Sequence, residues 1–251
     1  MRMSKSKAKD FLQCPRKFKY NYIDDLRERV EPEPGTPLRI GLDVHEIFEW
    51  YYKQPEAKTI EEPYEEAMWR ILMKHPLAEE YMPFLENFIK FNIEEVIPES
   101  GVPGYVPPEV ELYIHDKDLN LNGIIDAVFD SEDGKIIIDY KTGKPRAITE
   151  YILELTLYKI MYEKATGNKV SHCGIYFPKT NDKRMARCLD LDEECDGKGP
   201  CITIEDEFTA LDTLDYIREK IDKGEFPPKP GFLCNYCDFK NLCMADGVDV
   251  A

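Results

Sequence analysis

The stretch "GKIIIDYKTG" (134–143) places an acid and a base, Asp139 and Lys141, where the apolar run Ile136–Ile138 ends. A strand sends residues i and i+2 to one face, so the carboxylate and the ammonium point the same way and Tyr140 points the other. On its own such a pair reads as a salt bridge. "LNLNGIIDAVFD" (119–130) adds Asp126 on the preceding strand-like run. If the two runs form a hairpin through "SEDG", Asp126 and Asp139 become cross-strand neighbours. Two carboxylates on one face of an apolar hairpin repel each other, at a cost in stability that a cation between them removes. Oxygen donors favour a hard ion such as Mg²⁺ or Mn²⁺. His45 is a third candidate ligand. It lies beside the apolar stripe of an amphipathic segment, where a packed core histidine is the competing reading.

A second group is soft. "CNYCDFKNLC" carries Cys234, Cys237 and Cys243 in a C-x2-C-x5-C spacing. Thiolates at such spacing bind zinc or iron–sulfur clusters, and both normally take four ligands. No histidine follows His172, so the tail itself offers no fourth. The candidates are Cys188, Cys195 and Cys201 in the acidic stretch "CLDLDEECDGKGPC", and Cys14 near the other end of the chain. The three in the acidic stretch otherwise read as solvent-facing thiols, and Cys173, on a strand-like run, reads as a buried one.

These residues need elements to position them. Residues 4–26 read as helical. "EPEPGTP" (31–37) breaks the chain. A helix over 38–53, beginning near Gly41, carries Val44, Ile47, Phe48 and Tyr51 at i, i+3, i+4, i+7 spacing, with His45 beside that stripe. Two further helices are expected over 61–74 and 77–97, then a loop at 98–108. The period then changes to short β-rich runs at 109–116, 119–130 and 134–143. A helix follows over 148–166, a strand over 170–178 and a last amphipathic helix over 205–222, with a loop-like tail from Pro227. This order predicts an α/β fold with a helical N-terminal part and about one sheet's worth of strands.

Composition sets outer bounds. The chain has 251 residues, 43% of them hydrophobic, enough for a sizeable core. No apolar run approaches the ~20 residues of a membrane helix, and the basic start "MRMSKSKAKDF" has no apolar signal core, so a cytoplasmic location is expected. The formal net charge is -16, which taken alone argues against nucleic acid. The bases are unevenly spread, however. They gather in the first nineteen residues (including Arg16 and Lys17), at Lys141, Lys144 and Arg146, and at Lys179, Lys183, Arg184 and Arg187. No G-x4-G-K-[ST] run is present, so no ATP-driven motor is expected in this stretch of chain.

Taken together, Asp126 and Asp139-x-Lys141 resemble the active-site signature of PD-(D/E)XK nucleases. "GLDVHEIFE", "LNGIIDAVFD", "IIDYKTG" and "ELTLY" (154–158) resemble its RecB-type branch in wording and order. That branch usually carries Gln where this chain has Glu154; Tyr158 matches, and Glu111 matches an acidic residue one strand upstream. The resemblance implies a restriction-endonuclease-like α/β core, a central mixed sheet flanked by helices. His45, Asp126, Asp139 and the carbonyl of Tyr140 would hold Mg²⁺ or Mn²⁺, with Lys141 assisting the attacking water. "FLQCPRKFKY" (11–20) with the cysteine tail resembles the iron–sulfur RecB-type nucleases, among them the AddB helicase–nuclease and the CRISPR-associated Cas-four exonucleases. There Cys14, Cys234, Cys237 and Cys243 would bind a four-iron, four-sulfur cluster. The expected layout is one nuclease domain over 1–251. Within it, residues 1–30 and 227–243 form the iron–sulfur module, 38–100 a helical insertion and 109–222 the nuclease core.

The implied function is a metal-dependent DNA exonuclease acting on single-stranded ends, with a CRISPR integrase complex as partner. Arg16 and Lys17 are expected at phosphates and Tyr158 at a base. The alternatives are a non-catalytic protein that binds DNA ends or serves in assembly, and a viral or recombination exonuclease of the same type.

Overall fold

A computed structural model describes residues 1–27, 31–54, 64–75, 78–92 and 108–249. The chain divides into two compact units, Pro32–Glu207 and a second formed by Met1–Glu31 with Phe208–Ala251. The expected segments 1–30 and 227–243 both fall in the second unit, which also takes in residues 208–226.

The larger unit is α/β, with a mixed sheet flanked by helices. Its strands are β1 (Glu109–Asp116), β2 (Leu121–Ser131), β3 (Gly134–Tyr140), β4 (Val170–Phe177), β5 (Asp182–Cys188) and β6 (Cys201–Ile202), in that spatial order. The pairs β1–β2, β2–β3 and β4–β5 are antiparallel, whereas β3–β4 and β5–β6 are parallel. Parallel neighbours need a crossover, and the helix Ile152–Thr166 supplies it between β3 and β4. The β2–β3 hairpin closes at the Ser131–Gly134 pair, with Gly134 at φ 135. Only glycine takes that conformation without strain.

Helices Pro37–Lys53, Tyr64–Lys74 and Met82–Phe91 share one apolar core with the sheet. The stripe Val44, Ile47, Phe48 and Tyr51 is buried in it with Phe88, Phe129, Ile138 and Tyr140. Phe48 stacks on Phe88 at 3.7 Å between ring centroids and meets Tyr140 edge-on at 5.1 Å. The crossover helix buries Leu155, Tyr158, Met161 and Tyr162. Gly123 lets that helix come close, because a Cβ there would sit 2.7 Å from Met161 Cε. With helices on both faces, β3 can be almost all isoleucine.

Several boundaries differ from the sequence reading, each for a local reason. The helix carrying His45 begins at Pro37, one turn before Gly41, because the Thr36 side chain accepts from the backbone N–H of Arg39 and Pro37 fits the first helical position. The expected helix over 4–26 is two helices, Lys5–Gln13 and Pro15–Tyr22, with extended Cys14 between them. Proline has no N–H to donate and disfavours a helical residue before it. Strand β5 is not among the expected strands; its run "DKRMARC" buries only Ala186 and Cys188 and reads as a charged patch. Most of the expected loop at 98–108 and the end of the helix over 77–97 lie outside the described residues. No described helix is long and apolar enough to cross a membrane.

Phe48 fastens the His45 helix to the sheet through rings that are 0–3% exposed. We expect Phe48→Ala to lower unfolding free energy by about 3–5 kcal/mol, read from urea denaturation of the full chain. A loss below about 1 kcal/mol would mean that this helix is not held by that contact.

Candidate active site and cysteine cradle

The β2–β3 ladder stops at Ala127 and Ile138, one rung short of Asp126 and Asp139. Freed from the ladder, Asp126 turns its side chain to the neighbouring backbone, and its Oδ2 accepts from the Tyr140 N–H at 2.7 Å. On the other side of β2, Val110 pairs with Ala127 and Leu112 with Ile125, and Glu111 is skipped. Glu111 has φ 47, a left-handed conformation rare for a residue with a side chain. Such local strain persists where the surroundings over-determine it. Its effect here is to bring the Glu111 carboxylate to the same place as Asp126.

His45 reaches this spot from the helix. Its Nε2 lies 3.1 Å from the carbonyl oxygen of Tyr140, and its Nδ1 lies 3.5 Å from Glu111 Oε1 and 3.7 Å from Asp126 Oδ1. With Nε2 donating to Tyr140, Nδ1 of the neutral ring keeps a lone pair facing two carboxylates. Ligand atoms of His45, Glu111 and Asp126 all lie within 4.8 Å of one another, the only such trio among the described residues. An ion with ~2.0–2.6 Å bonds to oxygen or nitrogen fits among donors so spaced. Burial pushes the His45 pKa down, but the hydrogen bond to Glu111 and the charges of Asp126 and Asp139 outweigh it, and the net shift is upward from 6.5.

Lys141 and Asp139 stand beside the trio in the chain but are engaged with each other. Asp139 is fully buried, and its Oδ2 lies 2.5 Å from Lys141 Nζ. The same ammonium donates to Glu154 Oε1 at 2.9 Å and sits 5.8 Å from the centre of the Tyr151 ring. Glu154 therefore gives the lysine a second anionic partner where the resembled branch carries a neutral amide. Three of the anticipated groups, His45, Asp126 and the Tyr140 carbonyl, are in direct contact. Glu111 joins them although the ligand set drawn from the sequence leaves it out. Its signal is the acid one strand upstream, and its strained backbone cannot be read from residue types.

The other anticipated residues lie elsewhere. Tyr158 is fully buried and touches the site where a Gly123 Cβ would lie, so no base can stack on it. Its match in the sequence reflects packing. Cys195 and Cys201 are joined as a disulfide, and Cys188 is buried with its sulfur 3.7 Å from that of Cys173. None of the three is the exposed free thiol that the acidic stretch suggests.

In the second unit, Cys14, Cys234, Cys237 and Cys243 line one cavity. Cys14 is presented by the proline break between two helices, and Cys243 by the short helix Lys240–Ala245. Turns carry the other two, with the Cys237 N–H donating to the Cys234 carbonyl and the Lys240 N–H to the Cys237 carbonyl. Side chains tie the chain's two ends together around them. Arg16 donates through Nε to the Phe226 carbonyl at 3.0 Å and through Nη1 to Asp246 at 3.1 Å. Tyr20 donates to Asp246 at 2.5 Å, and Lys229 to the Leu12 carbonyl at 2.8 Å. Burial and the neighbouring Cys14, Cys234 and Cys237 push the Cys243 thiol up against the opposing pull of Arg16.

Arg16, Lys17, Lys229 and Lys240 line the same cavity, and no acid does. That is the donor set and the charge that an anionic thiolate cluster needs. No three of the sulfurs lie within 4.8 Å of one another, whereas a single zinc ion holds thiolates only ~3.8 Å apart at its ~2.3 Å bonds. Arg16, expected at a phosphate, is instead engaged in joining the two chain ends.

The family model of the PD-(D/E)XK nuclease superfamily matches residues 2–244. Among curated proteins, the chain is 33% identical over 124 residues to an ATP-dependent helicase/nuclease protein of Thermoanaerobacter sp. (strain X514), covering 42% of this chain and 10% of that protein. It is 36% identical over 86 residues to the protein of the same name from Clostridium perfringens (strain SM101 / Type A), covering 32% of this chain and 6% of that protein. The chain thus spans a tenth or less of the length of these relatives.

The metal-free site makes a pH-dependent contribution whose sign is fixed by His45. A histidine raised in the folded state stabilises it below the unfolded pKa, and this contribution is lost as pH rises through the folded pKa. In the presence of EDTA, the stability advantage of wild type over His45→Gln should shrink between about pH 6 and pH 9 in urea melts. An advantage that is flat or grows with pH would show that the imidazole is not held by these carboxylates.

Proposed function

Since the chain belongs to the PD-(D/E)XK nuclease superfamily, we propose that it is a metal-dependent deoxyribonuclease that degrades DNA from single-stranded ends. The carrying observation is the convergence of His45, Glu111 and Asp126 next to a lysine held between two carboxylates. In this reading His45, Glu111 and Asp126 hold Mg²⁺ or Mn²⁺, with Asp139 and the Tyr140 carbonyl completing the oxygen donors. When bound, the ion supplies Lewis acidity toward the phosphate and lowers the pKa of the attacking water.

This chain's own groups do the rest. Asp139 and Glu154 keep the Lys141 ammonium charged and fixed in direction. The ammonium then orients the water and offsets charge growing on the phosphorus oxygens in the transition state. Lysine suits this role as a compact point charge. Asp126, anchored on the Tyr140 N–H, keeps one oxygen turned toward His45. The buried aromatic core beneath keeps the helix and the sheet end in register.

The cysteine cradle supports a four-iron, four-sulfur cluster on Cys14, Cys234, Cys237 and Cys243. Its role in this proposal is structural: it cross-links segments from the two ends of the chain, which removes much of the freedom of the unfolded chain. One N-terminal and three C-terminal cysteines also favour a place among nucleases that trim DNA ends for CRISPR arrays beside an integrase complex. The similarity to proteins named helicase/nuclease favours a second reading, a recombination nuclease working with a separate motor.

Two experiments test these assignments. Labelled single- and double-stranded DNA is incubated with the protein and Mg²⁺ or Mn²⁺. Lys141→Ala and Asp126→Ala should each slow cleavage by about a hundredfold or more, and unchanged cleavage would remove the nuclease assignment. Separately, protein purified without oxygen should contain about four iron and four sulfide per chain, brown in colour, and Cys14→Ser should lose most of it. One zinc per chain and no sulfide would overturn the cluster.

A further inference from the structure

Beside the cysteine cradle, and wholly within the same unit, lies an open groove of about 580 Å³. This is the size class of clefts that bind ligands, ~300–1,000 Å³. Its walls come from the helix end at Leu12–Lys17 and from the turn 229–237. The Lys229 ammonium joins them by donating to the Leu12 carbonyl. Two large rings stand open on it, Phe232 at 73% and Tyr236 at 74% exposure, with centroids 5.4 Å apart. Leu233 is also 55% exposed.

A protein in water gains nothing in stability from rings left so open, and contiguous exposed apolar surface marks a contact site. The charge identifies the contact. Acids make up 49 of the 251 residues, yet none lines this groove, whereas Lys17 and Lys229 do. Open aromatic rings alternating with ammonium groups in an acid-free channel match a chain that alternates flat bases with phosphates. A protein partner carrying an apolar helix would not need the lysines, and duplex DNA has no free base faces to offer the rings.

We propose that this groove binds single-stranded DNA, with Phe232 and Tyr236 stacking on bases and Lys17 and Lys229 holding the intervening phosphates. The assignment rests on the nuclease reading for its substrate and adds the surface that would prefer an unpaired strand. Base–aromatic stacking is tolerant of sequence, so the groove should accept any strand without reading it. The acidic bulk of the chain disfavours phosphate elsewhere on the surface.

The test is fluorescence anisotropy of a labelled oligo-dT with the full chain in EDTA, where cleavage cannot proceed. Phe232→Ala and Tyr236→Ala should each weaken binding by about tenfold, with a much smaller effect on blunt duplex of equal length. Lys17→Gln and Lys229→Gln should each lower the salt dependence by about 0.7 in log–log slope. Trp69→Ala, which removes an equally open ring from the other unit (66% exposed), should leave affinity unchanged. Phe232→Trp supplies a reading that does not need a truncated variant: its fluorescence should be quenched on adding oligo-dT, at wild-type affinity.

Wild-type binding that survives both alanine changes, or a tryptophan at 232 that is blind to oligo-dT, overturns the groove and leaves the nuclease reading intact. Alanine variants that bind oligo-dT normally but no longer assemble with a purified partner protein overturn it in favour of a protein interface. Failure of the wild type to bind or cut any DNA is the separate result that removes the nuclease reading itself.

Discussion

Negative charge gathered at one end of a sheet is the constraint around which the larger unit is arranged. Glu111, Asp126 and Asp139 come from three neighbouring strands and cannot lie together without compensation. Each is answered by a specific group. Asp139 is neutralised by Lys141, Asp126 shares its oxygens between a backbone N–H and the imidazole, and Glu111 faces the same imidazole. The irregularities of the sheet fall at the same place: the β2–β3 ladder ends there and Glu111 leaves the strand conformation. Regular pairing would have placed these carboxylates on fixed rungs. Departing from it lets them converge on one point that a cation can occupy.

The two units solve different problems with different donors. The sheet end collects oxygen and nitrogen atoms at the spacing of a small hard ion. The other unit collects four sulfurs that are wider apart and rings them with bases. Keeping the soft donors away from the hard ones is chemically sensible, since thiolates beside the carboxylate site would compete for its metal. Arg16 shows how sequence context can mislead here. Its place in a basic, aromatic helix suggests phosphate contact, but two of its donors close the unit by holding the Phe226 carbonyl and Asp246.

Glu154 is the point at which this chain departs from the family wording, and the structure gives the departure a physical meaning. A glutamine there would offer Lys141 a neutral carbonyl. The glutamate offers charge, so the lysine is held between two anions and pulled toward its protonated form. A charged ammonium in a fixed position serves transition-state stabilisation better than proton removal.

The sequence alone determined the hairpin that carries Asp126 and Asp139, because strand alternation and a short turn leave one sensible register. It also determined the helix stripe beneath His45 and the soft character of the tail cysteines. It could not show strand β5, whose charged residues hide a two-sided burial, or the helix start at Pro37, which depends on a threonine cap. Nor could it show that Tyr158 is sealed in the core, since a buried and a stacking tyrosine look alike in a pattern. The meeting of His45 with Glu111 and Asp126, and of Cys14 with the cysteine tail, belongs to tertiary structure. Periodicity says which face of an element is apolar. Which faces then meet, and which carboxylate is pulled out of its strand to join them, is decided by packing between residues far apart in the chain.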